Sequence, residues 1–187
     1  MRTPQEFRRS VASRLRPVTP KNKSRSREFA VREALPIYLM KAAGLTHGGF
    51  YKHFESKDQL VSEACAEAVE TMIEYVANRA SGGTPVLETY LSTSQRDNPA
   101  AGCPLAAIGS ELGRCDERTR TVATAGFLKL VAITARQFGK AKPADARRKA
   151  LAAVSTMIGA MTMSRMVTDP ELSAEILTEA KASLSKT

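Results

Sequence analysis

Histidine is scarce in this 187-residue chain, which contains only two, His47 and His53, within one short segment. A Ser-His-Asp catalytic triad and a histidine-rich metal site are therefore both unfavourable interpretations. The nucleophile motif Gly-x-Ser-x-Gly is absent, because the nearest stretch, residues 109–113, has the wrong spacing. No glycine-rich phosphate-binding motif is present either. These absences predict a protein that is not an enzyme and needs no cofactor or metal.

Cysteine is also scarce, and no long hydrophobic run is present. The three cysteines, Cys65, Cys103 and Cys115, are odd in number and form no Cys-x-x-Cys pair, which favours free thiols in a reducing compartment. The most apolar window, residues 151–167, is shorter than the roughly 20 residues that cross a bilayer. No apolar stretch follows the early arginines as a secretory signal would require. We therefore expect a soluble, cytoplasmic protein without a membrane partner.

The net charge of +9 lies entirely in the N-terminal third of the chain. Residues 1–53 hold 12 Lys and Arg against 3 Asp and Glu, whereas residues 54–187 hold 16 of each. A basic segment joined to a neutral body indicates that one end meets a polyanion. Residues 1–27 combine this charge with three prolines and few apolar residues, so they are predicted to form a basic, disordered arm.

The stretch from Leu45 to Val61 is the most informative part of the sequence. Small, aromatic and basic residues fill a short helical segment, after which Ser56 and Gln59 have the spacing of a capping box that starts a new helix. Lys57 then lies among the unpaired amides of a helix N-terminus, where phosphate binds readily. A short helix with donors on one face, followed by such a helix start, is suited to reading a DNA groove.

Residues 43–46 through Phe54, then Ser56, Lys57 and Leu60, resemble the second half of the helix-turn-helix of the TetR family of transcriptional regulators. The resemblance implies that one group of residues faces base edges or sugar and another binds phosphates. The first group is Thr46, His47, Gly48 and Gly49, and the second is Tyr51, Lys52, His53 and Lys57. Phe50 and Phe54 are assigned to the core of this small domain. The implied partner is double-stranded DNA with a near-palindromic operator.

Beyond Ser56 the chain has helical periodicity and no convincing alternation, so the fold class is all-α. We expect a helix that ends at Gly82-Gly83, a helix that begins at Thr84-Pro85, and a helix from Pro104 through Leu112. Asp116 should cap a further helix, whose inward residues are predicted to be Val122, Phe127, Leu130, Val131 and Ile133. Two long helices, about 145–167 and 170–185, should follow. The predicted organisation is a helix-turn-helix domain over 28–62 and a helical effector-binding and dimerisation domain over 63–187.

The resemblance implies a homodimer joined through the last two long helices, with a small-molecule effector bound inside the C-terminal domain. The apolar faces predict a pocket for that effector, lined by Cys103, Phe127, Val131, Met157 and Met161. Cys103 precedes Pro104 at a predicted helix N-terminus, where the dipole should lower the thiol pKa. It is either a sensing thiol or a small packing residue. Met157, Met161, Met163 and Met166 are core or subunit-contact residues, or else line an adaptable pocket.

The residues before Pro36 do not have the apolar first helix that TetR-family proteins carry. Two functions therefore remain open. The first is a ligand-responsive repressor that a small molecule releases from its operator. The alternative is a dimeric small-molecule-binding protein whose DNA-binding domain is impaired by an aberrant N-terminus.

Overall fold

The structure, a computed structural model, describes residues 54–98, 102–139 and 141–186, with Lys57 described for its backbone only. All regular elements in these ranges are α-helices, which confirms the all-α prediction. They are α1 Lys57–Ser81, α2 Val86–Tyr90, α3 Thr93–Asp97, α4 Pro104–Leu112, α5 Glu117–Arg136, α6 Pro143–Met166 and α7 Pro170–Ser185. The chain divides into two compact units, and the boundary between Glu67 and Ala68 falls inside α1.

The start of α1 is fixed by the predicted capping pair, with one difference. The Ser56 hydroxyl accepts a hydrogen bond from the Gln59 backbone N–H at 3.1 Å, as a capping box requires. The Gln59 side chain, however, accepts from the backbone N–H of Glu55 at 2.6 Å instead of that of Ser56. The reciprocal bond therefore reaches one residue further back and also orders the chain before the cap.

The end of α1 follows the two glycines, as predicted. Gly83 has a φ of 85°, a left-handed conformation that glycine adopts without steric cost. The Thr84 N–H donates to the Arg79 carbonyl at 3.0 Å, and the Gly83 N–H donates to the Ala80 carbonyl at 3.0 Å. These two bonds make a Schellman motif, which satisfies the last carbonyls of the helix.

The segment after these glycines differs from the prediction. Pro85 is the N-cap of α2, not its first residue, and no side chain caps this helix. The helix is also short, because the chain breaks at Leu91 and restarts as α3, where the Ser92 side chain accepts from the Gln95 N–H. Leu91 is fully buried. Ser92 and Gln95 have the same spacing as Ser56 and Gln59, a local signal for the start of α3 that the sequence analysis did not use.

The remaining helix starts agree with the sequence signals. Pro104 and Pro170 occupy the first turns of α4 and α7, where a missing N–H has no cost. The Asp116 carboxylate accepts from the Thr119 N–H at 2.9 Å and caps α5. The Asp169 carboxylate accepts from the first amides of α7. Helix α6 begins at Pro143, two residues before the predicted start.

Helix α6 is the centre of the C-terminal unit and packs most extensively against α5 and α7, with α4 and α3 alongside it. Side-chain hydrogen bonds reinforce these contacts. Thr162 on α6 donates to the Ala106 carbonyl of α4 at 2.9 Å, and Ser173 on α7 donates to the Ser164 carbonyl at 2.6 Å. Within the described ranges, no helix has the combined length and apolar character of a membrane span.

The buried face of α5 is rotated from the predicted one. Leu130 and Val131 are fully buried as expected, but Val122, Phe127 and Ile133 are only half-buried. Thr119, Gly126 and Thr134 take inner positions instead. The cause is close packing against α1, because a Cβ added at Gly126 would lie 2.2 Å from Cγ1 of Val69.

Candidate functional site

Seven of the eight predicted DNA-contacting residues lie outside the described residues. They are Thr46, His47, Gly48, Gly49, Tyr51, Lys52 and His53. The eighth, Lys57, is the first residue of α1, as the capping signal predicted, and its side chain also lies outside the description. The DNA contacts of all eight stay predictions.

The described residues beside this segment show how α1 is anchored. Phe54 and Leu60 are both 1% exposed, which agrees with the assignment of Phe54 to a core. Between them the Ser56 cap holds the first turn of the helix. The backbone next to the predicted phosphate-binding residues is therefore fixed both by burial and by hydrogen bonds. Phe50, the other predicted core residue, lies outside the described residues.

A cavity of about 350 Å³ opens in the C-terminal unit, between the ends of α2, α5 and α7 and the middle of α6. Its lining residues are Gly83, Pro85, Leu87, Thr134, Gln137, Phe138, Ala153, Met157, Leu184 and Ser185. This volume falls within the range of about 300–1,000 Å³ that small-molecule pockets occupy.

The cavity wall is mostly apolar, with one polar edge. The Gln137 amide oxygen accepts from the Val86 N–H at 3.1 Å, which fixes the side chain, and its amide nitrogen has no partner among the described residues. The Lys149 ammonium lies 5.7 Å from the centroid of the Phe138 ring, so a cation–π contact holds the aromatic side chain in place. The cavity suits an apolar molecule that offers one hydrogen-bond acceptor to Gln137.

The predicted effector residues are only partly brought together. Met157 lines the cavity. Met161, Val131 and Cys103 are fully buried away from its lining, and Phe127 is half-buried. The sequence analysis missed Phe138, Gln137 and Leu184, which come from helix ends that no periodic pattern connects. Within the described ranges, no group of three His, Cys, Asp or Glu side chains is placed to hold a metal ion.

Cys103 lies at the predicted helix N-terminus, but its pKa is raised and not lowered as predicted. It is the N-cap residue of α4 and is 2% exposed. Burial raises the pKa of this thiol, and hydrogen bonds with the Tyr90 side chain and with the backbone amides of Ala106 and Leu105 offset that effect only in part. The prediction of a lowered pKa was therefore wrong, because desolvation of the thiolate outweighs the helix dipole.

Cys103 also lies close to two other polar groups, buried Tyr90 on α2 and half-buried Arg165 in the last turn of α6. Burial raises the pKa of the Tyr90 phenol well above its ordinary value, and the thiol adds to that rise. Burial lowers the pKa of the Arg165 guanidinium. All three groups thus meet in a poorly hydrated region, far apart in sequence but adjacent in space.

One surface of α6 is small and apolar yet exposed to solvent. Met163 is 41% exposed and Met166 is 65% exposed, whereas Met157 and Met161 are buried in the core. The methionine stripe is therefore divided between the two sides of the helix. Ala152, Ser155 and Gly159 lie on the same exposed side as Met163 and Met166. A Cβ added at Gly159 would meet nothing within 4 Å.

Two family models match successive parts of the chain. The first is described as "Bacterial regulatory proteins, tetR family" and matches residues 39–64, which include all eight predicted DNA-contacting residues. The second is described as "Transcriptional regulator LmrA/YxaF-like, C-terminal domain" and matches residues 84–174, from just before α2 into α7.

The chain is also similar to proteins of Mycobacterium tuberculosis. Two of them, from strains CDC 1551 and H37Rv, are each named an uncharacterized HTH-type transcriptional regulator. Each is 29% identical to this chain over 143 residues, which cover 70% of this chain and 73% of the relative. The similarity therefore extends over most of both proteins and is not confined to the helix-turn-helix.

Proposed function

The chain belongs to the TetR family of DNA-binding transcriptional regulators, and we propose that it is a homodimeric repressor that a small molecule releases from its operator. The observation that carries this proposal is the cavity of about 350 Å³ inside the C-terminal unit. A concave, mostly apolar lining of this volume is typical of small-molecule sites. The proposed ligand is apolar with one hydrogen-bond acceptor, which the Gln137 amide nitrogen would bind.

The proposed DNA interface consists of the eight residues from Thr46 to Lys57 that the sequence analysis selected. The family match over residues 39–64 supports it. Thr46, His47, Gly48 and Gly49 would read bases, at roughly 1–3 kcal/mol of discrimination for each good contact. Tyr51, Lys52, His53 and Lys57 would bind phosphates and provide the salt-dependent part of the affinity.

The proposed dimer is formed by α6 and α7 against the same helices of a second copy. Exposed Met163 and Met166, with Leu172 on α7 at 42% exposure, provide apolar surface that a second copy would cover. The open space at Gly159 would allow the two α6 backbones to approach closely. Two-fold symmetry would then place two recognition helices about 34 Å apart, one turn of DNA, on a near-palindromic site.

Release follows from the place of the cavity in this arrangement. Its lining includes Met157 of α6 and Leu184 of α7, the two helices of the proposed dimer interface. A ligand between these side chains would favour a different packing of α6 on α7. The dimer would then shift toward a state whose recognition helices have the wrong separation for the operator, because a ligand biases an equilibrium by its differential affinity for the two states.

Selection of duplexes from a random DNA library, followed by anisotropy titration at graded salt, tests the DNA interface. We expect Lys52→Ala to weaken binding to all sequences and to reduce the salt slope by about 1. Thr46→Ala should instead relax sequence preference. Lys186→Ala, which removes a lysine beyond the end of α7, is the matched control and should change neither. No preference for any duplex at any salt would refute the proposal, and binding gained only after an ordinary TetR first helix replaces residues 1–35 would support the alternative function.

A variant that fills the cavity tests the effector step. Ser185→Phe places a ring at the cavity edge, whereas Ala182→Phe adds the same ring to an exposed position of α7 outside the lining. Compounds that release the wild-type protein from its selected duplex should fail on Ser185→Phe and still act on Ala182→Phe. Both variants should bind DNA normally without ligand. Equal release of all three proteins would show that the ligand acts elsewhere.

A further inference from the structure

The segment that joins α5 to α6 beside the cavity has a strong local positive charge. Residues 136–149 hold six Lys and Arg against one Asp, whereas residues 54–187 as a whole hold 16 of each sign. That one acidic residue, Asp145, is paired with Arg148 at 2.9 Å. The same segment contains Gln137 and Phe138, two residues of the cavity wall. A basic segment in an otherwise neutral region indicates an anionic partner, and here that segment forms part of a cavity.

Lys149 brings one of these cations to the cavity wall. It lies four and eight residues before Ala153 and Met157, which both line the cavity, so the three side chains share one face of α6. Lys149 is half-buried, whereas its neighbour Arg148 is exposed. The Lys149 ammonium also lies 5.7 Å from the centroid of the Phe138 ring, another part of the wall. A positive charge therefore adjoins the apolar cavity at the end of α5.

Gln137 supplies a hydrogen-bond donor at the same end of the cavity. A backbone N–H can only donate, so the Gln137 oxygen must face the Val86 N–H, to which it is bonded at 3.1 Å, and the amide nitrogen must face elsewhere. The two hydroxyls of the lining, on Thr134 and Ser185, each donate to a carbonyl of their own helix at 2.9 Å. Among the lining residues, the Gln137 amide is therefore the remaining side-chain donor, and its complement in a ligand is an acceptor.

We propose that the cavity selects an amphipathic carboxylic acid, whose apolar tail fills the cavity and whose carboxylate lies at the Gln137 edge. This inference rests on the proposed function, which takes the cavity as the effector site, and it adds the charge of the effector. One carboxylate oxygen accepts from the Gln137 amide nitrogen, and the negative charge lies close to Lys149 and the basic segment. A carboxylate gains both the hydrogen bond and the attraction of the cations, whereas a neutral amide of the same shape gains only the hydrogen bond.

Octanoate, octanamide and octylammonium test this selection, because they share one chain length and differ in the charge of the head group. Isothermal titration calorimetry is carried out on the purified full-length protein near neutral pH and at low salt. Octanoate should bind about tenfold more tightly than octanamide, and octylammonium should bind most weakly. The preference for octanoate over octanamide should shrink as salt is added, because counterions screen the attraction between charges.

Gln137→Glu is the most informative variant, because the new carboxylate still accepts from the Val86 N–H. It replaces the donor with a negative charge, so octanoate should bind at least about tenfold more weakly and octylammonium should become the preferred ligand. Lys149→Met, which keeps an apolar stem, should reduce the preference for octanoate over octanamide to roughly twofold. Arg148→Gln changes an exposed arginine of the same segment and is the matched control, which should leave all three affinities unchanged.

Ser185→Phe separates binding inside the cavity from binding to the outer basic surface, and it should block octanoate. The proposal is overturned if octanoate binds no more tightly than octanamide, if it fails to bind the wild-type protein, or if Gln137→Glu binds it undiminished. Undiminished binding to Ser185→Phe would also overturn it, because the acid would then lie on the outer surface.

The calorimetry contains no DNA, so its outcome can be told apart from that of the release assay. A neutral compound that releases the protein from DNA through the cavity, with no preference for octanoate, would support the proposed function and refute the carboxylate site. Octanoate that binds in the cavity without releasing DNA would confirm the carboxylate site and refute the effector step.

Discussion

Substitution of Gly126 by alanine tests a close contact between α5 and α1. The added Cβ would lie 2.2 Å from Cγ1 and 3.3 Å from Cγ2 of Val69, well inside van der Waals contact. Val69 is buried, and its β-branched side chain has one strongly preferred rotamer in a helix. The side chain therefore has little freedom to turn away, so α5 and α1 must separate locally to admit the methyl group.

The expected cost is the difference between two effects. Overpacking of a core costs about 1–3 kcal/mol, and a 2.2 Å approach places this contact at the upper end. Replacement of a helical glycine by alanine stabilises the helix by up to about 1 kcal/mol, because alanine has the higher helix propensity. We therefore expect Gly126→Ala to lower the free energy of unfolding by about 2 kcal/mol, which for a domain of this size corresponds to a melting temperature lower by roughly 4–8 °C.

A double mutant separates this cause from any general intolerance at the position. Val69→Ala alone should cost about 2 kcal/mol, because it removes two buried methyl groups and leaves a cavity. Combined with Gly126→Ala, the new methyl fills part of that cavity, and the nearest remaining Val69 atom, Cβ, lies at an ordinary 3.4 Å. The free energy of unfolding of the double mutant should therefore be about 3 kcal/mol higher than the two single effects predict when added. This difference is a large coupling energy for a contact pair.

Urea unfolding followed by far-ultraviolet circular dichroism is the appropriate assay, because the chain contains no tryptophan. All variants are compared at one protein concentration, since a dimer has concentration-dependent stability. Gly109→Ala is the matched control, because that helical glycine of α4 has nothing within 4 Å of an added Cβ. It should be neutral or slightly stabilising. A Gly126→Ala protein as stable as the wild type, or a strictly additive double mutant, would refute the reasoning.

Three smaller predictions follow from the same structure. Under native conditions an alkylating reagent should label half-buried Cys115 well before Cys103, whose burial raises its pKa; peptide mass spectrometry measures the order. The free energy of unfolding should fall above about pH 9–10, because the unfolded chain ionises groups that the fold keeps protonated. Tyr90→Phe should reduce the slope of the free energy of unfolding against pH by about 1.4 kcal/mol per pH unit. Urea titrations at stepped pH measure this slope. Asp169→Ala should lose about 1 kcal/mol, while Asp169→Asn retains most of it in the same assay.

Helix starts were predictable from the sequence because their causes are local. Ser56, Asp116 and Asp169 each bond a backbone amide within three residues, so the sequence contains both partners of the interaction. The restart of the chain as α3 was missed although its cause is also local, because Ser92 and Gln95 have the spacing of a capping box and the Ser92 hydroxyl accepts from the Gln95 N–H. The rotation of the α5 face was also hidden, because it depends on how closely Val69 approaches Gly126 across two helices.

The candidate sites also differ in whether they depend on neighbouring residues or on residues that are distant in the sequence. The segment proposed to read DNA is contiguous, so its pattern could be recognised from residues 45–61 alone. The cavity is assembled from residues as distant as Pro85 and Leu184, and the cluster of polar side chains around Cys103 joins Tyr90 to Arg165. No periodicity relates such positions. Of the predicted effector residues only Met157 lines the cavity, and it lies on a buried helical face that was visible from the sequence.

Helix α6 carries three of these features on different sides, and its geometry explains how they can act together. Residues on an α-helix advance by about 100° each, so Met157 and Gly159, two positions apart, point to nearly opposite sides. Met157 lines the cavity, while Gly159 and Met163 face open space. A ligand that displaces the buried side must move the exposed side by a similar amount, because hydrogen bonds hold the helix as one body. Arg165, anchored to two carbonyls of α3, limits that motion at the last turn, so α6 should pivot about this end.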